Sequence, residues 1–93
     1  MSKYAQGRRA EYKSMRVLEA CGYTVTRSAS SKGRWDVVGV SGTDVLLVQV
    51  KAGKTAPARA EMDSLRELRR PPNCRVLVHW WKERAREPVV YEL

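Results

Sequence analysis

The sequence predicts a small α/β domain, a mixed central sheet flanked by helices, in the order αβββαβ with one further strand at the end. Three observations predict it. Residues 37–40 and 45–50 are β-branched, aliphatic runs split by Ser41-Gly-Thr-Asp44, the pattern of a hairpin. Both faces of that hairpin are apolar, Val38, Val40, Val45 and Leu47 on one and Val37, Leu46, Val48 and Val50 on the other, so it belongs at a sheet centre covered on both sides. Amphipathic stretches on either side, residues 4–21 and about 57–69, supply the covers.

The first helix carries Met15 and Leu18 at helical spacing and stops at Gly22. Glu11 stands four residues before Met15 and shares its inward stripe. A carboxylate there either salt-bridges Arg8 one turn back or reaches the end of the sheet. Residues 23–29 form a short strand, followed by a polar, basic connector, Ser28 to Trp35, which is either a phosphate-contacting loop or an ordinary loop between strands. Trp35 packs.

In the hairpin, Gly42 and Thr43 take the turn and Ser41 faces Asp44, which sets Asp36 opposite Gln49. Lys51, two residues on, shares their face. An acid, an amide and a lysine thus gather at one end of an apolar hairpin, where polar groups are costly unless paired or bound to something. A salt bridge between Asp36 and Lys51 is the plain account; a site is the other.

After Lys51 comes a loop, then a helix with Pro57 in its first turn and Ala58, Met62 and Leu65 inward. Gly53-Lys54-Thr55 lacks the first glycine of a phosphate-binding loop and is not one. Arg69-Arg-Pro-Pro-Asn73 ends the helix. Residues 74–81 form a strand, 82–87 a charged connector and 89–93 the last strand. His79, the lone histidine, lies in an apolar strand and is expected to be structural.

With 93 residues the chain is one domain, residues 1–93, at the small end of what folds alone. No apolar run is long enough to span a bilayer, and the polar, basic N-terminus is no signal peptide. Cys21 and Cys74 lack metal-site spacing and are expected as reduced, semi-buried thiols of a cytoplasmic protein. Net charge is +8, of which residues 1–35 hold +6. That excess fits a polyanion, most simply nucleic acid, and the alternative is a basic surface with no partner. No helix has the apolar face that membrane-surface binding needs, so no membrane partner is expected.

Carboxylate and amide oxygens at a strand end are hard ligands for Mg²⁺, with Mn²⁺ able to substitute. With a lysine beside them, the natural chemistry is metal-assisted phosphodiester hydrolysis.

These residues resemble a family. Asp36, followed thirteen positions later by Gln49-Val-Lys51, resembles the PD-(D/E)XK nuclease signature, which implies a restriction-endonuclease-like fold. Gly7-Arg-Arg-Ala-Glu11, Arg27 through Ser30 and Ser31, Gly33 and Asp36-Val-Val are similar to the archaeal and phage Holliday junction resolvases, over roughly residues 5–55. The resemblance implies a homodimer that cuts four-way DNA junctions with Mg²⁺ by paired nicks. It makes Glu11, Asp36 and Gln49 metal ligands and Lys51 the catalytic lysine, and it puts Ser30 or Ser31 against the scissile strand. Arg8, Arg9, Arg27, Ser31, Lys32, Arg34 and Lys54 are the expected DNA contacts. The family usually has Glu where this chain has Gln49, which removes one negative charge from the site. Two other functions stay open: a PD-(D/E)XK endonuclease acting on flaps or linear duplex, and a non-catalytic DNA-binding module with a decayed site.

Overall fold

The computed structural model describes residues 3–28 and 33–93. It contains α1 (Lys3–Ala20), β1 (Thr24–Arg27), β2 (Val37–Val40), β3 (Val45–Ala52), α2 (Arg59–Arg66), β4 (Cys74–Trp81) and β5 (Val89–Glu92). The strands form one sheet in sequence order. β1, β2 and β3 are an antiparallel meander, β4 runs parallel to β3, and β5 returns antiparallel on β4. The parallel step needs a crossover, and α2 is that crossover.

The hairpin forms in the expected register. Val37 pairs with Val48 and Val40 with Val45, and Ser41 N–H donates to the Asp44 carbonyl at 2.9 Å. Its two aliphatic faces feed separate cores. Val37, Leu46 and Val48 pack with Leu18 of α1 and Leu77 of β4. Leu47 faces the other way, against the cluster of Leu65, Val76 and Val78 beneath α2. Covering both faces is what lets an eight-residue β3 lie in the centre of so small a sheet.

α1 ends as the glycine predicts. Gly22 has φ +94, its N–H donates to Glu19 O at 3.0 Å, and the Tyr23 N–H donates to Leu18 O at 3.1 Å. These are the paired bonds of a left-handed helix stop, where glycine carries no Cβ penalty. Its buried stripe is Ala10, Ser14 and Leu18, so the inward face includes a hydroxyl the apolar spacing did not single out.

α2 is shorter than expected at both ends. Ala58 is still extended (φ −68, ψ 142) and exposed, so it is not part of the inner stripe. At the far end the Arg70 guanidinium donates to the carbonyls of Leu68 (3.3 Å) and Leu93 (2.7 Å). Those bonds stop the helix and tie it to the last residue of the chain. The expectation of semi-buried thiols holds for Cys74 only, because Cys21, just past the end of α1, is exposed.

His79 is structural, as expected. It is 1% exposed, and its Nδ1 lies 2.9 Å from Ser14 Oγ, which also accepts from Trp81 Nε1 at 2.8 Å. The indole can only donate, so the serine oxygen accepts there, and the same oxygen holds the ring nitrogen of His79 with its second lone pair or its proton according to the imidazole tautomer. Burial pushes the His79 pKa down to about 4.

Candidate active site

Asp36 immediately precedes β2, and two bonds tie it to β3. Its N–H donates to Val48 O at 2.9 Å, and its Oδ2 accepts the Val50 N–H at 2.9 Å. On its other side the Ser28 N–H donates to Asp36 O at 2.8 Å. The acid is therefore held from both neighbouring strands, in the middle of the sheet end. The N–H it holds belongs to Val50, the residue between Gln49 and Lys51.

Lys51 does not pair with Asp36. Its Nζ lies 3.1 and 3.3 Å from the two carboxylate oxygens of Glu61 on α2. The sequence reading passed over Glu61, whose place on the crossover helix carried no local signal. Gln49 shares the α2 face with Lys51 and lines a cleft of about 260 Å³ together with Gly33, Arg34, Glu61, Ser64 and Leu65. Arg34 donates to Ser64 Oγ at the rim of that cleft.

Glu11 pairs with Arg27, the last residue before the connector to β2. Its Oε1 accepts from Arg27 Nη1 at 3.1 Å, and the guanidinium also stacks over Tyr12, 4.9 Å from the ring centroid. The carboxylate bond raises the pKa of Arg27. Arg27 pairs with Val37 in the ladder, one residue from Asp36. Glu11 thus reaches the same end of the sheet as Asp36, but on the α1 face, whereas Gln49 and Lys51 occupy the α2 face. The first turns of α1 come round that end: Gln6 and Gly7 line a cleft of about 640 Å³ with Lys51, Gly53, Lys54 and Glu83.

Of the expected DNA contacts, Arg8 and Arg9 are exposed on α1, Arg27 is drawn in by Glu11, and Lys54 is exposed with Glu83 at 3.9 Å. Ser30, Ser31 and Lys32 lie outside the described residues.

Among the described residues, no group of three or more His, Cys, Asp or Glu side chains is placed to hold a metal ion. The donor chemistry still fits a hard cation, because Mg²⁺ takes one or two protein carboxylates and completes its shell with water and substrate phosphate. Asp36 has one oxygen committed to Val50, and the Gln49 amide is a neutral oxygen donor beside it.

An antiparallel meander continued by a parallel strand, with an acid heading β2 and an amide-x-lysine ending β3, defines a PD-(D/E)XK nuclease domain. The chain belongs to the archaeal Holliday junction resolvase (Hjc) family, whose model matches residues 2–70. Among solved structures it is similar to Hjc of Archaeoglobus fulgidus, described as a Holliday junction resolvase from an archaeal hyperthermophile. That match has a TM-score of 0.71 and 24% identity, and it covers 92% of this chain and 71% of the other. No curated protein sequence matches the chain. The expected fold class is therefore found, and the family places the chain among structure-selective, junction-resolving nucleases.

Proposed function

We propose that this chain cuts four-way DNA junctions by metal-dependent phosphodiester hydrolysis, working as a homodimer that places paired nicks. The observation that carries the reading is the Asp36 carboxylate held on the N–H of Val50, the residue between Gln49 and Lys51, in a member of a junction-resolvase family. Asp36 and Gln49 would hold Mg²⁺, or Mn²⁺ in its place, and Glu11 would join as a third ligand only by leaving Arg27 and reaching round the sheet end. When bound, the ion polarises the scissile phosphate and acidifies a water molecule. The Val50 N–H keeps the Asp36 carboxylate from turning away from that position. Lys51 carries its ammonium to the attacked phosphate and stabilises the charge that develops there. Ser30, in the connector between β1 and β2, meets the scissile strand. Gln49 contributes an oxygen without a charge, so the site binds its ion more weakly than one built with glutamate.

A labelled junction and a linear duplex of the same arms, each with Mg²⁺ and either wild type or Asp36→Ala, test the reading. Symmetric nicks in the junction alone, lost in the variant, are expected. Cutting of linear or flapped DNA would keep the chemistry and replace the substrate. Tight binding without cutting in any divalent metal would leave a binding module. Sedimentation at micromolar concentration should show a dimer. Val89 and Val90 on the edge strand β5 are exposed and are the candidates for its interface, whereas Trp81 is buried and the Trp80 indole donates to Gly53 O at 3.0 Å.

A further inference from the structure

We propose that a trough between α1 and the β4–β5 connector seats the phosphate backbone of a duplex arm leading away from Lys51. This rests on the DNA reading above and assigns the path of the substrate beyond the site.

Three clefts join end to end. The first holds Lys51 and Lys54. It shares Gln6, Ala52 and Glu83 with a second, of about 430 Å³, whose basic lining is Arg9, Lys13, Lys82 and Arg84. The second shares Lys13 and Trp81 with a third, of about 320 Å³, which adds Arg16 and Arg86. Against these six cations the lining offers one acid, Glu83, which already faces Lys54. Among the described residues, none of the six is in an ion pair, whereas Arg27, Lys51, Arg66 and Arg75 all are.

Two further features separate this trough from a merely basic surface. Lys13 lies over the ring of Trp81, which lines two of the clefts, at 5.4 Å. An indole face steadies an ammonium without using its N–H donors, which stay available to phosphate oxygens. Arg84 has φ +62, a left-handed conformation in which glycine would be cheaper by about 1 kcal/mol. A long cation held at strained backbone in a turn that opens on the trough marks a position kept for its side chain. A run of cations along joined clefts suits duplex, whose phosphates are dense and continuous, and no base reading is needed.

The test is junction binding followed by fluorescence anisotropy in EDTA, so that no strand is cut, over a range of salt. Arg84→Gly removes the charge and relieves the backbone, so its melting temperature should not fall. Its affinity should drop about eightfold at 0.1 M salt, and the slope of log K against log salt should fall by about 0.9, one phosphate contact. Arg86→Ala should behave the same way, and a linear duplex should lose as much as the junction, because either presents a duplex arm. Arg66→Ala, on α2 away from the trough, should bind as wild type. Wild-type affinity and slope in both Arg84→Gly and Arg86→Ala overturn the trough and leave the DNA reading standing. Failure of wild type to bind any DNA overturns both.

Discussion

Lys51 Nζ lies 3.1 Å from Glu61 Oε1, an ion pair that joins the last residues of β3 to the crossover helix that follows them. The side chains are 34% and 39% exposed, so the pair contributes at most about 1 kcal/mol to stability. Its larger effect is positional. Glu61→Ala should lower the cleavage rate about tenfold through a misplaced ammonium while the melting temperature barely moves. Single-turnover kinetics beside a thermal melt check both halves.

Asp36→Asn separates the charge of the acid from its structural bond. The amide oxygen can still accept the Val50 N–H, so the loss in stability should stay below about 1 kcal/mol, against about 2 kcal/mol for Asp36→Ala. Cleavage should fall at least a hundredfold in both. Urea titrations and Mg²⁺-dependent cleavage give the two readouts, and an active Asn variant would remove Asp36 from the ligand set.

Gln49→Glu restores the missing charge beside Asp36. Activity at limiting Mg²⁺ should be kept or raised, with half-saturation at lower metal concentration. A large loss would mean that Gln49 does not act as a ligand.

Ser14→Ala strips the hydroxyl shared by His79 and Trp81 and leaves a buried indole N–H without its acceptor. The expected cost is about 2 kcal/mol, read as a lower urea midpoint at constant slope, with a changed Trp emission.

The neutral His79 also sets a pH dependence. Its folded pKa of about 4 lies below the ordinary 6.5, so between those values the unfolded chain binds the extra proton. Stability from this group is full above pH 6.5 and is lost as pH falls toward 4, by up to roughly 3 kcal/mol. Asp44, held low by Ser41 and Tyr23, and Glu92, held low by Arg75, lose their contributions only below the ordinary carboxylate range. Urea unfolding at pH 7 and pH 5 isolates the histidine, and His79→Gln should flatten that interval.

Much of this protein was legible in one dimension. The hairpin register follows from the alternation of Val and Leu around Ser41-Gly-Thr-Asp44, because a slip by one residue would turn each aliphatic side chain to the wrong face. That register alone brought Asp36, Gln49 and Lys51 to one end. Gly22 marked the end of α1, and the charge excess named a polyanion. What the tertiary structure decided was partnership. Glu11 goes to Arg27, sixteen positions on, Lys51 goes to Glu61 rather than Asp36, and Ser14 becomes the hinge of a buried triad with residues more than sixty positions away. The basic trough likewise draws Lys13 and Arg86 from opposite ends of the chain. Periodicity fixes which face a side chain occupies, since that depends on its own backbone. Which charge it meets depends on how helices lie across the sheet, and that is settled only when the two cores pack.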